Sequence, residues 1–181
     1  MTKIKQALLA SLIMSISSLS MADDANSVRY DFSVLFLSKT CEIDVPSEII
    51  FGNQSGITTT NDIKSDNVTK QFTIGLKNCT TPDQNIAIVY IASGNTLAGR
   101  NNIFNDNPND VIGVQLLDNN RVVSVNESAN AKPSTASILW DNIQSTSETK
   151  IINAKLRCAE ADCEPNDGDF SAKLTIGYYA D

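Results

Sequence analysis

Histidine is absent from the 181-residue sequence. It is the usual general base near neutral pH and the commonest protein ligand for zinc, so its absence excludes Ser-His-Asp and Cys-His catalytic arrangements. Carboxylates remain available for glycoside hydrolysis, but the sequence shows no two of them placed across a cleft. We therefore predict no catalytic residue, no metal site and no cofactor, and we rank a hydrolase last among the function classes.

Long hydrophobic runs are also missing. The most apolar stretch, residues 7–19, is shorter than the roughly 20 residues that span a bilayer core. It follows Lys3 and Lys5 and precedes a small-residue site that ends at Ala22, which is the pattern of a secretory signal peptide. We predict that residues 1–22 are removed and that the remaining chain does not insert into a membrane.

Basic residues are few. The chain has 14 Lys and Arg against 21 Asp and Glu, and removing Lys3 and Lys5 leaves 12 against 21, a net charge of −9. A surface of this sign repels phosphate, and no Lys/Arg cluster suits anionic lipid. We therefore expect neither nucleic acid nor a membrane surface as a partner.

The four cysteines allow three pairings and fit an oxidising compartment. Cys158 and Cys163 are close enough in sequence to clip a tight loop, which leaves Cys41 with Cys79. Loop entropy predicts a stabilisation of about 2 kcal/mol for the short loop and about 4 kcal/mol for the long one. A zinc site is the alternative, but Cys41 and Cys79 each stand alone in sequence, without the neighbouring ligand that zinc sites have.

Helical periodicity is missing beyond the predicted signal peptide. Short runs rich in Val, Ile, Phe and Thr alternate with Asn/Asp/Gly/Ser clusters, the spacing typical of an all-β sandwich. Residues 86–91 are continuously apolar, which favours a central strand covered on both faces. The predicted strands are residues 28–37, 41–45, 49–51, 70–79, 85–92, 111–118, 121–125, 138–140, 149–158 and 170–179.

The polar segments predict loops and turns. Residues 54–67 and 94–110 are interpreted as connections, and Asn119-Asn120 as a tight turn. Residues 106–110 superficially resemble a calcium loop, but they lack the glycine at the sixth position and the glutamate at the twelfth. An Asn/Asp-rich turn is therefore the favoured interpretation.

Two segments alternate apolar and polar residues with the period of a half-buried strand. Near the C-terminus, the apolar set is Phe170, Ala172, Leu174, Ile176 and Tyr178. Near the N-terminus, it is Val28, Tyr30, Phe32, Val34 and Phe36. Periodicity alone leaves open whether the N-terminal segment is an ordinary first strand of its own domain.

Several motifs in order along the chain resemble the fimbrial subunits (pilins) of the Gram-negative chaperone–usher pathway, in the type 1 and P pilus group. They are Cys41, Phe72-x-Ile74-x-Leu76-x-x-Cys79, Gly113 to Asp118, Ile152 to Leu156, and the alternating Phe170 to Tyr178. The resemblance spans the whole chain after residue 22, and it rests on order and spacing, since no single motif is highly specific.

The resemblance implies an incomplete immunoglobulin-like β-sandwich that is completed by donor-strand exchange. Residues 23–40 would be the donor extension, with Val28, Tyr30, Phe32, Val34 and Phe36 as its inserted side chains, and residues 41–181 the pilin domain. Phe170, Ala172, Leu174, Ile176 and Tyr178 would form the strand that borders the groove and is bound by the chaperone. The Cys41–Cys79 pair matches the family's intersheet disulfide.

The same resemblance implies partners and a location. These are a periplasmic chaperone, an outer-membrane usher and neighbouring pilus subunits, in a fimbria on the cell surface that contributes to adhesion. Val34 stands about where the family commonly has a glycine, and the chain continues three residues past Tyr178. These departures, with the additional Cys158–Cys163 pair, leave two positions in the fibre open, a repeating shaft subunit and a minor subunit such as a tip adaptor, anchor or terminator. The alternative function is a stand-alone secreted β-sandwich that binds a ligand such as carbohydrate.

Overall fold

The computed structural model describes residues 32–35 (backbone only), 41–53, 55–79, 87–127 and 132–180. Within these ranges the chain forms eleven strands and one short α-helix, α1 (Thr60–Lys64). The strands are β1 (Phe32–Leu35), β2 (Glu42–Asp44), β3 (Thr69–Lys77), β4 (Ile88–Gly94), β5 (Thr96–Leu97), β6 (Arg100–Phe104), β7 (Ile112–Asp118), β8 (Arg121–Val123), β9 (Ile138–Trp140), β10 (Glu148–Cys158) and β11 (Leu174–Tyr179). The predicted signal peptide lies outside the described residues.

The strands form two sheets. The smaller has the order β1-β11-β4-β9, and the larger has the order β2-β3-β10-β7-β6-β5, with β8 also paired to β7. Every pairing is antiparallel except that of β1 with β11, which is parallel. The architecture is the predicted all-β sandwich.

The core lies between the two sheets and is built by alternating residues. In β10, Ile152, Ala154 and Leu156 are buried, while Ile151 is exposed. The predicted central strand β4 is buried at four successive residues, Ile88 to Ile91, as expected for a strand with neighbours on both sides and cover on both faces.

Residues 54–67, predicted as a loop, contain helix α1. Thr59 and Asp62 form a capping box: the Thr59 side chain accepts a hydrogen bond from the Asp62 N–H, and the Asp62 carboxylate accepts one from the Thr59 N–H. Ile63 is buried against the sandwich. The prediction was wrong because a single helical turn is too short to show a period, although Thr-x-x-Asp is a readable start signal.

Residues 94–110, predicted as a connection, contain the hairpin β5–β6. Its turn includes Gly99 at φ +72°, and Phe104 is fully buried. The edge strand β5 has only two residues, and β6 beside it begins with three polar residues, so the hairpin carries too little apolar alternation to be recognised. Conversely, Ile49 and Phe51 lie in the core without joining a ladder, so the strand predicted at residues 49–51 is not formed.

Both disulfides are present, and this corrects the zinc alternative. Cys41 is bonded to Cys79 and Cys158 to Cys163, which is the pairing that the spacing favoured. The predicted Asn119-Asn120 turn is also confirmed, with both residues at positive φ between β7 and β8. No helix in the described part of the chain is long and apolar enough to cross a bilayer.

Candidate strand-docking site

The terminal strand β11 carries the alternation predicted from sequence. Leu174, Ile176 and Tyr178 are 1%, 0% and 3% exposed, while Thr175 and Tyr179 are half-buried. Phe170 and Ala172, predicted to belong to the same strand, are also buried, but the ladder with β4 begins only at Leu174. The apolar face of the C-terminal segment is therefore part of the core.

Asp106 fixes the chain just before β11. Its carboxylate accepts hydrogen bonds from Ser171 Oγ at 2.8 Å and from the Lys173 N–H at 3.1 Å, and its own N–H donates to the Ser171 carbonyl at 2.9 Å. These three bonds join the β6–β7 loop to the entry of β11. The position of the terminal strand is thus set by polar contacts at its start as well as by its apolar face.

The outer edge of β11 is occupied by β1. The register pairs Phe32 with Leu174 and Val34 with Ile176, in parallel orientation and within one chain. Because directly opposed residues share a sheet face, Phe32 and Val34 take the register positions of the core-facing set. Of the predicted donor residues, Val28, Tyr30 and Phe36 lie outside the described residues.

Beyond β1, the edge of β11 continues for two residues, since the described pairing ends with Leu35 opposite Gly177 and β11 ends at Tyr179. Tyr178 is almost completely buried, and its Oη has no hydrogen-bond partner in the part of the chain that the structure describes. Burial raises the pKa of the Tyr178 phenol. A buried unpaired hydroxyl is costly, so Tyr178 is held in place by the packing of its ring rather than by a hydrogen bond within the described residues.

Gly177 makes room for a ring on the neighbouring strand. It is paired with Tyr90 of β4, and a Cβ at Gly177 would lie 2.8 Å from the Tyr90 ring. Burial raises the pKa of Tyr90. The ring therefore covers the glycine, a packing that offsets the weakness of glycine within a strand. Sequence reasoning missed this contact, although a glycine inside an otherwise apolar and aromatic strand was its visible signal.

Two clefts among the described residues lie beside the loop that contains Asp167. One of about 280 Å³ is lined by apolar residues, glycines and the uncharged polar residues Thr58, Thr60 and Asn166, with Asp167 as the one ionisable residue among those described. A neighbouring cleft of about 240 Å³ is lined by asparagines and by Asp110, Asp167 and Asp169. In the described ranges no three Asp, Glu, Cys or His side chains are grouped so as to hold a metal. The most developed site is accordingly the edge of β11.

A search of solved structures finds the fold of this chain in the P pilus rod subunit PapA. The TM-score is 0.56 at 14% sequence identity, over 78% of this chain and 99% of that one. No family model matches the sequence, and no curated protein matches it. At this identity the likeness concerns the fold alone. The chain has the fold of that pilus subunit, which confirms the all-β, pilin-like sandwich predicted from the sequence, and its completion by donor-strand exchange stays a prediction.

Proposed function

We propose that this chain is a structural subunit of a cell-surface fimbria and polymerises by donor-strand exchange. The observation that carries the proposal is the buried terminal strand β11, whose outer edge is paired only with the four-residue β1 among the described residues. The N-terminal segment that supplies β1 can also supply a strand to the same edge of a neighbouring molecule. The pilin fold supports this interpretation.

In this proposal residues 23–40 are the donor and residues 41–181 the accepting domain. Burying the five donor side chains Val28, Tyr30, Phe32, Val34 and Phe36 contributes on the order of 8–15 kcal/mol before ordering costs. Main-chain pairing to an open sheet edge adds affinity, and the alternate pockets add specificity. The contact is head-to-tail and does not close on itself, so it extends into a filament.

The partners and location follow from the same proposal. A hydrophobic edge aggregates unless it is covered, so a periplasmic chaperone would supply a strand to β11 whenever β1 has left it before assembly, and an outer-membrane usher would export the subunit. The fimbria would stand on the cell surface and contribute to adhesion. The Cys158–Cys163 disulfide beyond the family pattern supports a minor subunit.

The alternative, a stand-alone binding module, predicts a fold complete in one chain. The intrachain pairing of β1 with β11 fits it, and the asparagine- and aspartate-lined cleft is where its ligand would bind. The two functions differ in whether the N-terminal segment is ever exchanged between molecules.

Mixing the wild type and a donor-strand variant, both as residues 23–181, tests whether the N-terminal strand is exchanged between molecules. Phe32→Asp with Val34→Asp gives a chain that can accept a strand but cannot donate one, because two carboxylates would enter the core. We expect the wild type to form filaments in electron microscopy and the variant to shorten them when added substoichiometrically. Ser33→Asp, whose register position is on the other sheet face, is the matched control and should leave filament length nearly unchanged. A wild type that stays monomeric at all concentrations would contradict the proposal.

A further inference from the structure

The pairing of β1 with β11 lies within one chain, and it covers the same edge that exchange requires. We propose that the free subunit is a self-closed monomer in which β1 is an intramolecular inhibitor of assembly. This rests on the proposed function. In the free subunit the edge of β11 is occupied by residues 32–35 of the same chain. A second copy, or a partner that presents a strand, binds this edge only after β1 has left it.

The tether explains why closure within the chain is favoured. Five residues separate Leu35 from Cys41, and Cys41 is fixed to the larger sheet by its bond to Cys79. Six steps along the chain reach at most about 22 Å, which exceeds the ~10 Å that separates packed sheets. The segment can therefore reach its own β11, and a short tether gives it an effective concentration of about millimolar.

The extent of pairing explains why closure is reversible. In the part of the chain that the structure describes, β1 pairs with four residues of β11, and this pairing ends opposite Gly177, two residues before β11 ends. The alternating segment in the sequence is longer, from Val28 to Phe36. A strand from another molecule is free of the tether and can use more of the edge. Closure is thus favoured in dilute monomer, whereas exchange is favoured once β1 is displaced.

A cysteine lock tests self-closure directly. Ser33 and Thr175 are register partners, and adjacent strands lie about 4.8 Å apart, within the Cα separation that a disulfide spans. In residues 23–181 carrying Ser33→Cys and Thr175→Cys, we expect a bond within one chain, identified by peptide mapping of the monomer. The locked monomer should lose filament formation completely.

The matched control is Ser33→Cys with Tyr179→Cys. The register places these positions four residues apart along the strand, about 13 Å, so no intrachain bond should form and assembly should proceed as in the wild type. Bonds found only between chains, or a locked monomer that assembles at the wild-type rate, would overturn self-closure. A wild type that forms no filaments would overturn the proposed function instead. The intrachain bond is detected by peptide mapping of the monomer, so that measurement does not depend on whether filaments form.

Discussion

Glu148 stabilises the turn that precedes β10 by accepting hydrogen bonds. Its Oε1 accepts hydrogen bonds from the Gln144 N–H at 2.9 Å, from Ser145 Oγ at 2.7 Å and from the Ser145 N–H. The hydrogen bond from the Ser145 side chain, followed by those from the two backbone N–H groups, holds the pKa of Glu148 below its usual range despite some desolvation. The Glu148 carboxylate thus stabilises the start of β10, the longest strand among the described residues.

The depressed pKa sets the sign of a pH effect. Because Glu148 titrates lower in the folded than in the unfolded chain, its contribution is present above the ordinary value of 4.5 and is lost as pH falls through the folded pKa. We expect Glu148→Gln to lower the free energy of unfolding by about 1 kcal/mol at pH 7 and to have no effect once the wild-type carboxyl is protonated. Urea unfolding at pH 7 and pH 3 measures this, with the exposed Asp169→Asn as control. A cost that persists undiminished at pH 3 would contradict the assignment.

At the scale of elements, β11 and β4 depend on the packing of Tyr90 over Gly177. A methyl group at Gly177 would approach the ring to 2.8 Å, so Tyr90 would have to move out of a nearly buried position. We expect Gly177→Ala to destabilise the domain by about 1–3 kcal/mol, measured by thermal or urea unfolding. The exposed Thr73→Ala in β3 should cost less than 1 kcal/mol. Equal costs for the two variants would show that the ring does not constrain this position.

The elements differ in how far the sequence determines them. Alternation in residues 170–178 predicted which side chains of the terminal segment are buried, because a period of two assigns sheet faces. The start of the ladder at Leu174 depends instead on where Asp106 binds the chain. Likewise, alternation in the N-terminal segment identifies a strand, but it does not say which strand lies beside it. The parallel pairing of β1 could not be predicted for that reason.

At the scale of the whole molecule, the charge of the chain would oppose the proposed assembly. Residues 23–181 carry 12 basic and 21 acidic residues, a net charge of −9, so two subunits repel each other at low ionic strength. We expect filament growth to be faster at 150 mM than at 20 mM salt, because the Debye length falls from about 20 Å to about 8 Å. Light scattering during assembly measures the rate, and sodium and potassium chloride should act alike. Slower growth at high salt would show that attraction between charges drives the encounter.

The Cys41–Cys79 disulfide also has a mechanical consequence. In a filament joined through the segments that precede Cys41, tension enters each domain at that residue. The strand that follows, β2, has only three residues and lies at the sheet edge, so its hydrogen bonds would open one after another under load. The bond to Cys79, two residues after β3 ends, passes the force instead into β3, which lies between β2 and β10. In the proposed filament the disulfide would therefore make the first point of loading covalent, and the subunit would resist pulling through its inner strands.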